Sequence, residues 1–232
     1  MNKHLFFFKS FLKNPNDVGA VAPSSKVLAR AMVEGKGLGR ASCVVEYGPG
    51  LGSFTGEILA RTGEKTLYVG IEKNPAFVDV LRREFPAGRF YVGDAGDVVS
   101  IVAGMGVSQV DLVVSGLPFA NFPPQVQKRI LESTCAVLKP GGAFVTFNYI
   151  HTWPLNKAKA FRRKVIGVFD RVSWHPVMLN VPPAFVVECR KGEVTCPCGK
   201  ISDCQGARLL AEADPAPGFQ PLESGPDRVS AP

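Results

Sequence analysis

The sequence predicts an α/β fold: a seven-stranded, mostly parallel sheet with helices on both faces, preceded by an N-terminal amphipathic helical arm. Three observations predict it. From Cys43 onward, short apolar runs rich in β-branched residues alternate with longer stretches of helical character, the pattern of a parallel sheet covered on both sides. The first run ends in a glycine-rich turn, Gly48-Pro49-Gly50-Leu51-Gly52, and a helical stretch follows it. A chain of 232 residues with 46% hydrophobic residues has material for one sizeable core but not for two full domains.

In chain order, residues 1–40 read as a helical arm and cap, 41–191 as the α/β domain and 192–232 as a tail. Placed on a helix, Leu5, Phe8, Phe11 and Leu12 share one face, with Lys9 and Lys13 flanking it. A second helix is expected over 24–33, with Ser24 or Ser25 as its cap. Strands are expected at 43–47, 67–72, 89–92, 110–115, 143–149, 172–179 and 185–189. Helices are expected at 53–61, 75–85 and 123–138, the second and third opened by prolines near the first turn. Lys139-Pro140-Gly141-Gly142 stops the third. Residues 156–169 form one more amphipathic segment, with Phe161, Val165, Val168 and Phe169 on one face and Lys157, Arg163 and Lys164 roughly opposite. After Lys191, glycine, proline, alanine and serine replace the apolar pattern, so the tail reads as disordered.

The formal charge of +7 draws the chain towards something anionic, nucleic acid or a membrane surface. The excess sits in two stretches. Lys3, Lys9, Lys13, Lys26, Arg30, Lys36 and Arg40 face Asp17 and Glu34; Lys157, Lys159, Arg162, Arg163, Lys164 and Arg171 face Asp170. No segment approaches the ~20 uncharged residues of a membrane span, and Lys9, Lys13 and Asn14-Pro15-Asn16-Asp17 spoil a signal peptide. The expectation is a cytosolic protein. Cys43, Cys135 and Cys189 lie in apolar runs as small core residues, whereas Cys196, Cys198 and Cys204 in the tail lack the second Cys pair or His of a zinc site, so no metal is expected.

Candidate ligand residues stand at the ends of consecutive strands. Glu46-Tyr47-Gly48-Pro49-Gly50-Leu51-Gly52 follows the first strand, and Gly48, Gly50 and Gly52 would let a ligand lie against the backbone at the carboxyl edge of the sheet. The spacing is acidic-x-Gly-x-Gly-x-Gly rather than the GxGxxG of dinucleotide sites. The second strand ends at Glu72-Lys73, where a carboxylate accepts from both hydroxyls of a ribose. The third runs into Gly93-Asp94-Ala95, where Asp94 can accept from an adenine amino group.

In that order these residues resemble the class I S-adenosylmethionine-dependent methyltransferases, over roughly residues 43–189, with a Rossmann-like sheet implied. Leu138-Lys139-Pro140-Gly141-Gly142 before a strand is similar to another of their recurrent segments. The resemblance implies S-adenosyl-L-methionine as cofactor, with S-adenosyl-L-homocysteine as product. It implies a binding set of Glu46, Tyr47, Gly48, Pro49, Gly50, Gly52, Glu72, Lys73, Asp94 and Ala95, with Ser115 beside them; Glu46 would organise the loop and the cationic amino-acid end of the cofactor.

More narrowly, Asp17-Val18-Gly19-Ala20-Val21-Ala22-Pro23-Ser24-Ser25, Ser115-Gly116-Leu117-Pro118-Phe119 and Phe147-Asn148-Tyr149 resemble the soluble bacterial phospholipid N-methyltransferases. These convert phosphatidylethanolamine stepwise to phosphatidylcholine, and the likeness implies a phospholipid substrate at an anionic membrane, on the inner face of the cell membrane. The sequence also resembles the adenine N6-dimethyltransferases of ribosomal RNA, but Gly116 stands where they carry an Asn that holds the extruded base. The stacking aromatics and base-edge donors of a single-stranded RNA site are not identifiable either, so nucleic acid is not the expected partner.

Methyl transfer is an in-line displacement, served chiefly by holding the nucleophile about 3 Å away and aligned. An ethanolamine amine, with a pKa near ~10.4, must also lose a proton. Candidate groups around it are the carbonyls of the Ser115, Gly116 and Leu117 turn, the Ser115 hydroxyl, Tyr149 and, ranked below them, His151. Phe119 and Tyr149 either present aromatic faces to a methylated ammonium, worth about 0.5 to 2 kcal/mol, or pack the core. The helix bearing Phe8, Lys9, Phe11 and Lys13, and the segment bearing Lys157, Arg162 and Arg163, read either as membrane-facing or as ordinary amphipathic helices.

Overall fold

The computed structural model describes residues 25–193. Seven strands, β1 Cys43–Tyr47, β2 Leu67–Glu72, β3 Arg89–Val92, β4 Val110–Ser115, β5 Leu138–Tyr149, β6 Arg171–Val177 and β7 Ala184–Arg190, form one sheet in the order β3-β2-β1-β4-β5-β7-β6. The first five are parallel. β7 lies antiparallel between β5 and β6 because the 178–183 connection is too short for a crossover. The fold is the Rossmann-like sheet that the sequence predicts.

Among the described residues six α-helices cover it: α1 Lys26–Val33, α2 Thr55–Leu59, α3 Pro75–Glu84, α4 Val98–Ala103, α5 Pro124–Val137 and α6 Asn156–Val168. Successive residues of β1 feed opposite cores, as a pleated strand requires. Val45 and Tyr47 join α4, α5 and α6 through Ile101, Leu131, Phe161 and Val165. Val44 joins α1, α2 and α3 through Leu28, Met32, Ile58 and Leu81. Ser25 caps α1, accepting from Leu28 N at 3.2 Å, and Asn74 caps α3 just before Pro75.

Three boundaries differ most from the sequence reading, and one helix is additional to it. α2 is shorter than 53–61 because Gly52, at φ 90°, and the turns after it keep the chain out of the helix. β5 begins at Leu138, so the expected helix stop is also the start of a strand. Gly141, at φ 73°, bends that start, and hydrogen bonds from Gly141 N to Lys191 O and from Lys191 N to Gly142 O hold it. β6 ends at Val177, which releases Met178 and Leu179 into a turn. α4 was not anticipated, because six residues with four buried carry no visible helical period.

Cys43 and Cys189 are buried and Cys135 half-buried, all as free thiols. Among the described residues no helix is long and apolar enough to cross a membrane. The arm with Phe8, Lys9, Phe11 and Lys13, the Cys196, Cys198 and Cys204 trio, and all but the first two residues of the tail lie outside the described residues.

Candidate active site

The strand order reverses between β1 and β4, and in an open α/β sheet a ligand crevice forms outside the carboxyl ends at such a point. Here the loops after β1 and β4 are stitched to their neighbours. Gly48 N donates to Ile71 O and Gly116 N to Tyr47 O, both at 2.9 Å. The glycines serve different ends. A Cβ on Gly52 would stand 2.3 Å from the Phe85 ring, and one on Gly48 would stand 2.6 Å from Leu117, so these two are kept bare by packing. A Cβ on Gly50, at φ 59°, would meet nothing within 4 Å. The open space over the backbone is at Gly50, beside Pro49 and the exposed Leu51.

The three acids are each built into the edge differently. Glu46 is wholly buried. Its Oε2 accepts from Thr55 Oγ1 at 2.9 Å and Tyr68 OH at 2.5 Å, while Oε1 has no partner. Burial, with a smaller push from the Glu72 charge, lifts its carboxyl to about 7 against the pull of the two hydroxyls. A buried oxygen left unpaired costs about 1–3 kcal/mol, so it marks a place for a donor. Glu72 fastens the glycine loop to β2, with Oε2 accepting from Gly50 N at 3.0 Å and Oε1 from Asn74 N at 2.9 Å.

Asp94 is more committed than the sequence suggested. Its Oδ1 accepts from Gly96 N at 2.8 Å and from the Arg129 guanidinium at 2.5 Å, and the exposed Lys73 stands 3.9 Å from Oδ2. Partial burial raises its pKa, but the Gly96 N–H and Arg129 outweigh that and leave it below the usual carboxylate range. Oδ2 is therefore the oxygen left to face a ligand, and Ala95 beside it is buried. Tyr47 contributes backbone alone: its side chain turns into the opposite core, where its hydroxyl meets Thr134 Oγ1 at 3.1 Å.

On the other side of the crevice the turn after β4 is tight. Ser115 Oγ accepts from Leu117 N at 3.2 Å, and Leu117 O accepts from Phe119 N at 3.0 Å. Phe119 does not reach the crevice. It is 1% exposed, stacked on Phe161 at 5.1 Å and edge-on to Phe144 at 5.7 Å, so of its two expected roles it takes core packing and not the aromatic face for substrate. Pro118, half-buried, covers that turn.

The aromatic wall lies instead along β5. Phe54 meets Phe147 edge-on at 5.9 Å, Phe147 meets Tyr149 at 5.5 Å, and Tyr149 stacks on the exposed His151 at 5.6 Å. Phe54 also borders Gly116, whose Cβ would sit 3.2 Å from its ring. The wall thus runs from the glycine loops out to solvent and brings Gly116, Tyr149 and His151 to one edge. Burial raises the Tyr149 phenol, which stays protonated at neutral pH.

Thr55, Tyr68, Phe54 and Arg129 were not singled out from the sequence. Only Tyr68 left a signal there, since a tyrosine inside a core strand needs a partner for its hydroxyl. α6 spends its apolar face on the sheet through Phe161 and Val165, so that face is not available to lipid. Its cations remain outside: Lys157 and Arg163 are exposed, and Arg162 lies 4.0 Å over the Trp153 ring.

Comparison with known proteins agrees with this geometry. Residues 44–142 match a family model described as a methyltransferase domain. An ornithine lipid N-methyltransferase of Singulisphaera acidiphila is 34% identical over 193 residues, covering 82% of this chain and 97% of that protein. Among solved structures, a TehB-like SAM-dependent methyltransferase from Corynebacterium glutamicum shares the fold at a TM-score of 0.53 and 16% identity, over 81% of this chain and 99% of that one. An O-methyltransferase from Bacillus cereus in complex with SAH does so at 0.53 and 17%, over 82% and 92%. With a relative of that extent and the glycine loop and strand-end acids in place, the chain belongs to the class I S-adenosylmethionine-dependent methyltransferases.

Proposed function

We propose that this chain methylates the amine of a lipid head group, with phosphatidylethanolamine as acceptor, carried stepwise towards phosphatidylcholine at the cytoplasmic face of the membrane. The observation that carries the reading is the 34% identity across 97% of a lipid N-methyltransferase. The wall of Phe147 and Tyr149 supports it, since aromatic faces favour methylated ammonium groups. Gly116 supports it too, because the position lacks the side-chain acceptor that adenine methylation uses. That relative's own substrate favours a second reading, in which the acceptor is the amine of an ornithine lipid.

The residues present fit the cofactor. Gly50 leaves room over the backbone, the carboxylate of Glu72 at the end of β2 suits ribose hydroxyls, and the unpaired Oε1 of Glu46 suits the ammonium of the amino-acid end. Bound S-adenosylmethionine supplies an electrophilic methyl group on a sulfonium. This chain's own part is to bring a neutral amine in line with it. The Tyr149 hydroxyl accepts a hydrogen bond from the amine and orients its lone pair; being protonated, it does not remove the proton. We assign that proton to His151, which stacks on Tyr149 and is open to solvent.

The test is transfer of labelled methyl from S-adenosylmethionine to phosphatidylethanolamine vesicles, ornithine-lipid vesicles or ribosomal RNA. Label in phosphatidylethanolamine is expected. Label in ornithine lipid alone moves the acceptor to the second reading, and label in RNA alone rejects both. Gly116→Asn should gain no RNA activity, because the added Cβ would press on Gly48 O at 3.1 Å and on Phe54.

A further inference from the structure

The turn at 178–183, between β6 and β7, projects three apolar side chains: Met178 is 64% exposed, Leu179 83% and Val181 87%. No other large apolar residue described is as exposed. The turn is held firmly all the same. Asn180 is 2% exposed at its centre; it donates to Pro182 O and accepts from Ser25 Oγ, each at 2.5 Å. Pro183 O accepts from Ile150 N at 2.8 Å. A buried polar residue thus pins the loop while its apolar neighbours point into water, an arrangement with a hydration cost unless something apolar meets them.

Its position and its surroundings say what that is. Val177 and Tyr149 both pair with Ala184, so the turn begins one residue beyond the row that holds Tyr149. It stands on the same edge as the acceptor wall. Exposed Val27 and Leu155 extend the apolar surface on elements that start at that edge. Residues 25–33, 147–169 and 172–187 contain no Asp or Glu, whereas Lys26, Lys157 and Lys159 are exposed there. Apolar tips within a cationic surround match an anionic bilayer, with lysines at head-group level and apolar side chains below. Residues 1–24 join the described chain at Ser25, the residue that grips Asn180.

We propose that the 178–183 turn inserts Met178, Leu179 and Val181 into the interfacial layer of an anionic membrane and so seats the acceptor edge on the lipid surface. The proposal rests on the lipid reading above, but its test does not need turnover. The full chain carrying Leu179→Ser and Val181→Ser is sedimented with vesicles of phosphatidylethanolamine and phosphatidylglycerol, and its S-adenosylhomocysteine affinity is measured alongside. Vesicle affinity should fall about tenfold or more, with the loss persisting in high salt because the missing contribution is apolar. Cofactor affinity should stay as in the parent protein, since neither residue touches the glycine loop.

Activity on a short-chain phosphatidylethanolamine dissolved as monomers should also survive. A double variant that sediments like the parent overturns the proposal. So does a variant that changes only the oligomeric state by light scattering, which would make a second copy the partner. Parent protein that docks through the turn but methylates no lipid overturns the functional reading and leaves the turn as a membrane contact.

Discussion

The two halves of the carboxyl edge are built on opposite principles. At the ends of β1, β2 and β3 the edge is polar and already bonded: Glu72 holds the Gly50 and Asn74 amides, Asp94 holds Gly96 and Arg129, and Glu46 holds two hydroxyls. At the ends of β5 and β6 it is a chain of rings, Phe147, Tyr149 and His151, beside bare apolar tips. The first half meets a ligand of fixed shape with fixed dipoles, which preorganises binding. Under the proposed function the second half meets a flexible head group in a layer of lipid, where shape and apolar area serve better than a rigid set of hydrogen bonds. Substitutions in the two halves should therefore separate cofactor affinity from turnover.

The largest separation is expected at the cofactor half. Glu72→Ala removes the groups that fix Gly50 and Asn74 along with the proposed acceptors for ribose, and Gly50→Val fills the open space over the loop. Charge-assisted hydrogen bonds contribute about 1.5–3 kcal/mol each, so Glu72→Ala should weaken S-adenosylhomocysteine roughly a hundredfold by calorimetry, while circular dichroism shows the fold retained. Unchanged binding in both variants would remove the ligand from this loop.

The next largest lies in the acceptor half. Tyr149→Phe keeps the ring contacts with Phe147 and His151 and deletes only the hydroxyl. Losing one hydrogen bond to the reacting amine should lower kcat roughly thirtyfold on lipid, with cofactor affinity unchanged. A fall in cofactor affinity instead would mean that the two halves are not separable at β5.

The same contrast decides what could be read without coordinates. Glu46, Glu72 and Asp94 were legible because each stands at the end of an apolar run, and sheet topology alone brings strand ends together. β1 to β4 were legible because apolar runs bounded by glycine and acid have little freedom. The aromatic wall joins Phe54 to Phe147, and the turn grip joins Ser25 to Asn180 across 155 residues. Such pairings follow from packing and leave no local pattern. Phe119 shows the reverse limit. Its place in a motif beside Gly116 left both a substrate contact and core packing open, and only packing shows that a ring there completes the core under α6. Met178 and Leu179 read as strand because they continue β6's apolar run, although Asn180 and the two prolines after it already signalled a turn.

The smallest effect, about tenfold, concerns Glu46 and sharpens the cofactor half from within. Burial lifts its carboxyl from an ordinary 4.5 to about 7, so without ligand the folded chain holds a proton that the unfolded chain releases. That preference stabilises the free protein fully below pH 4.5 and is lost as pH rises through 7, on the order of 3 kcal/mol in all. A cationic amino-acid end beside Oε1 requires the ionised form instead. Binding of S-adenosylhomocysteine should therefore release a proton below pH 7 and tighten about tenfold from pH 6 to pH 8. Calorimetry in two buffers of different ionisation enthalpy measures the proton count directly. Glu46→Gln, which keeps an oxygen for Tyr68 and Thr55, should bind more weakly at pH 8 and with no pH dependence from this site. A parent protein whose affinity is flat between pH 6 and pH 8 would place the ammonium away from Glu46 and leave its unpaired oxygen to some other donor.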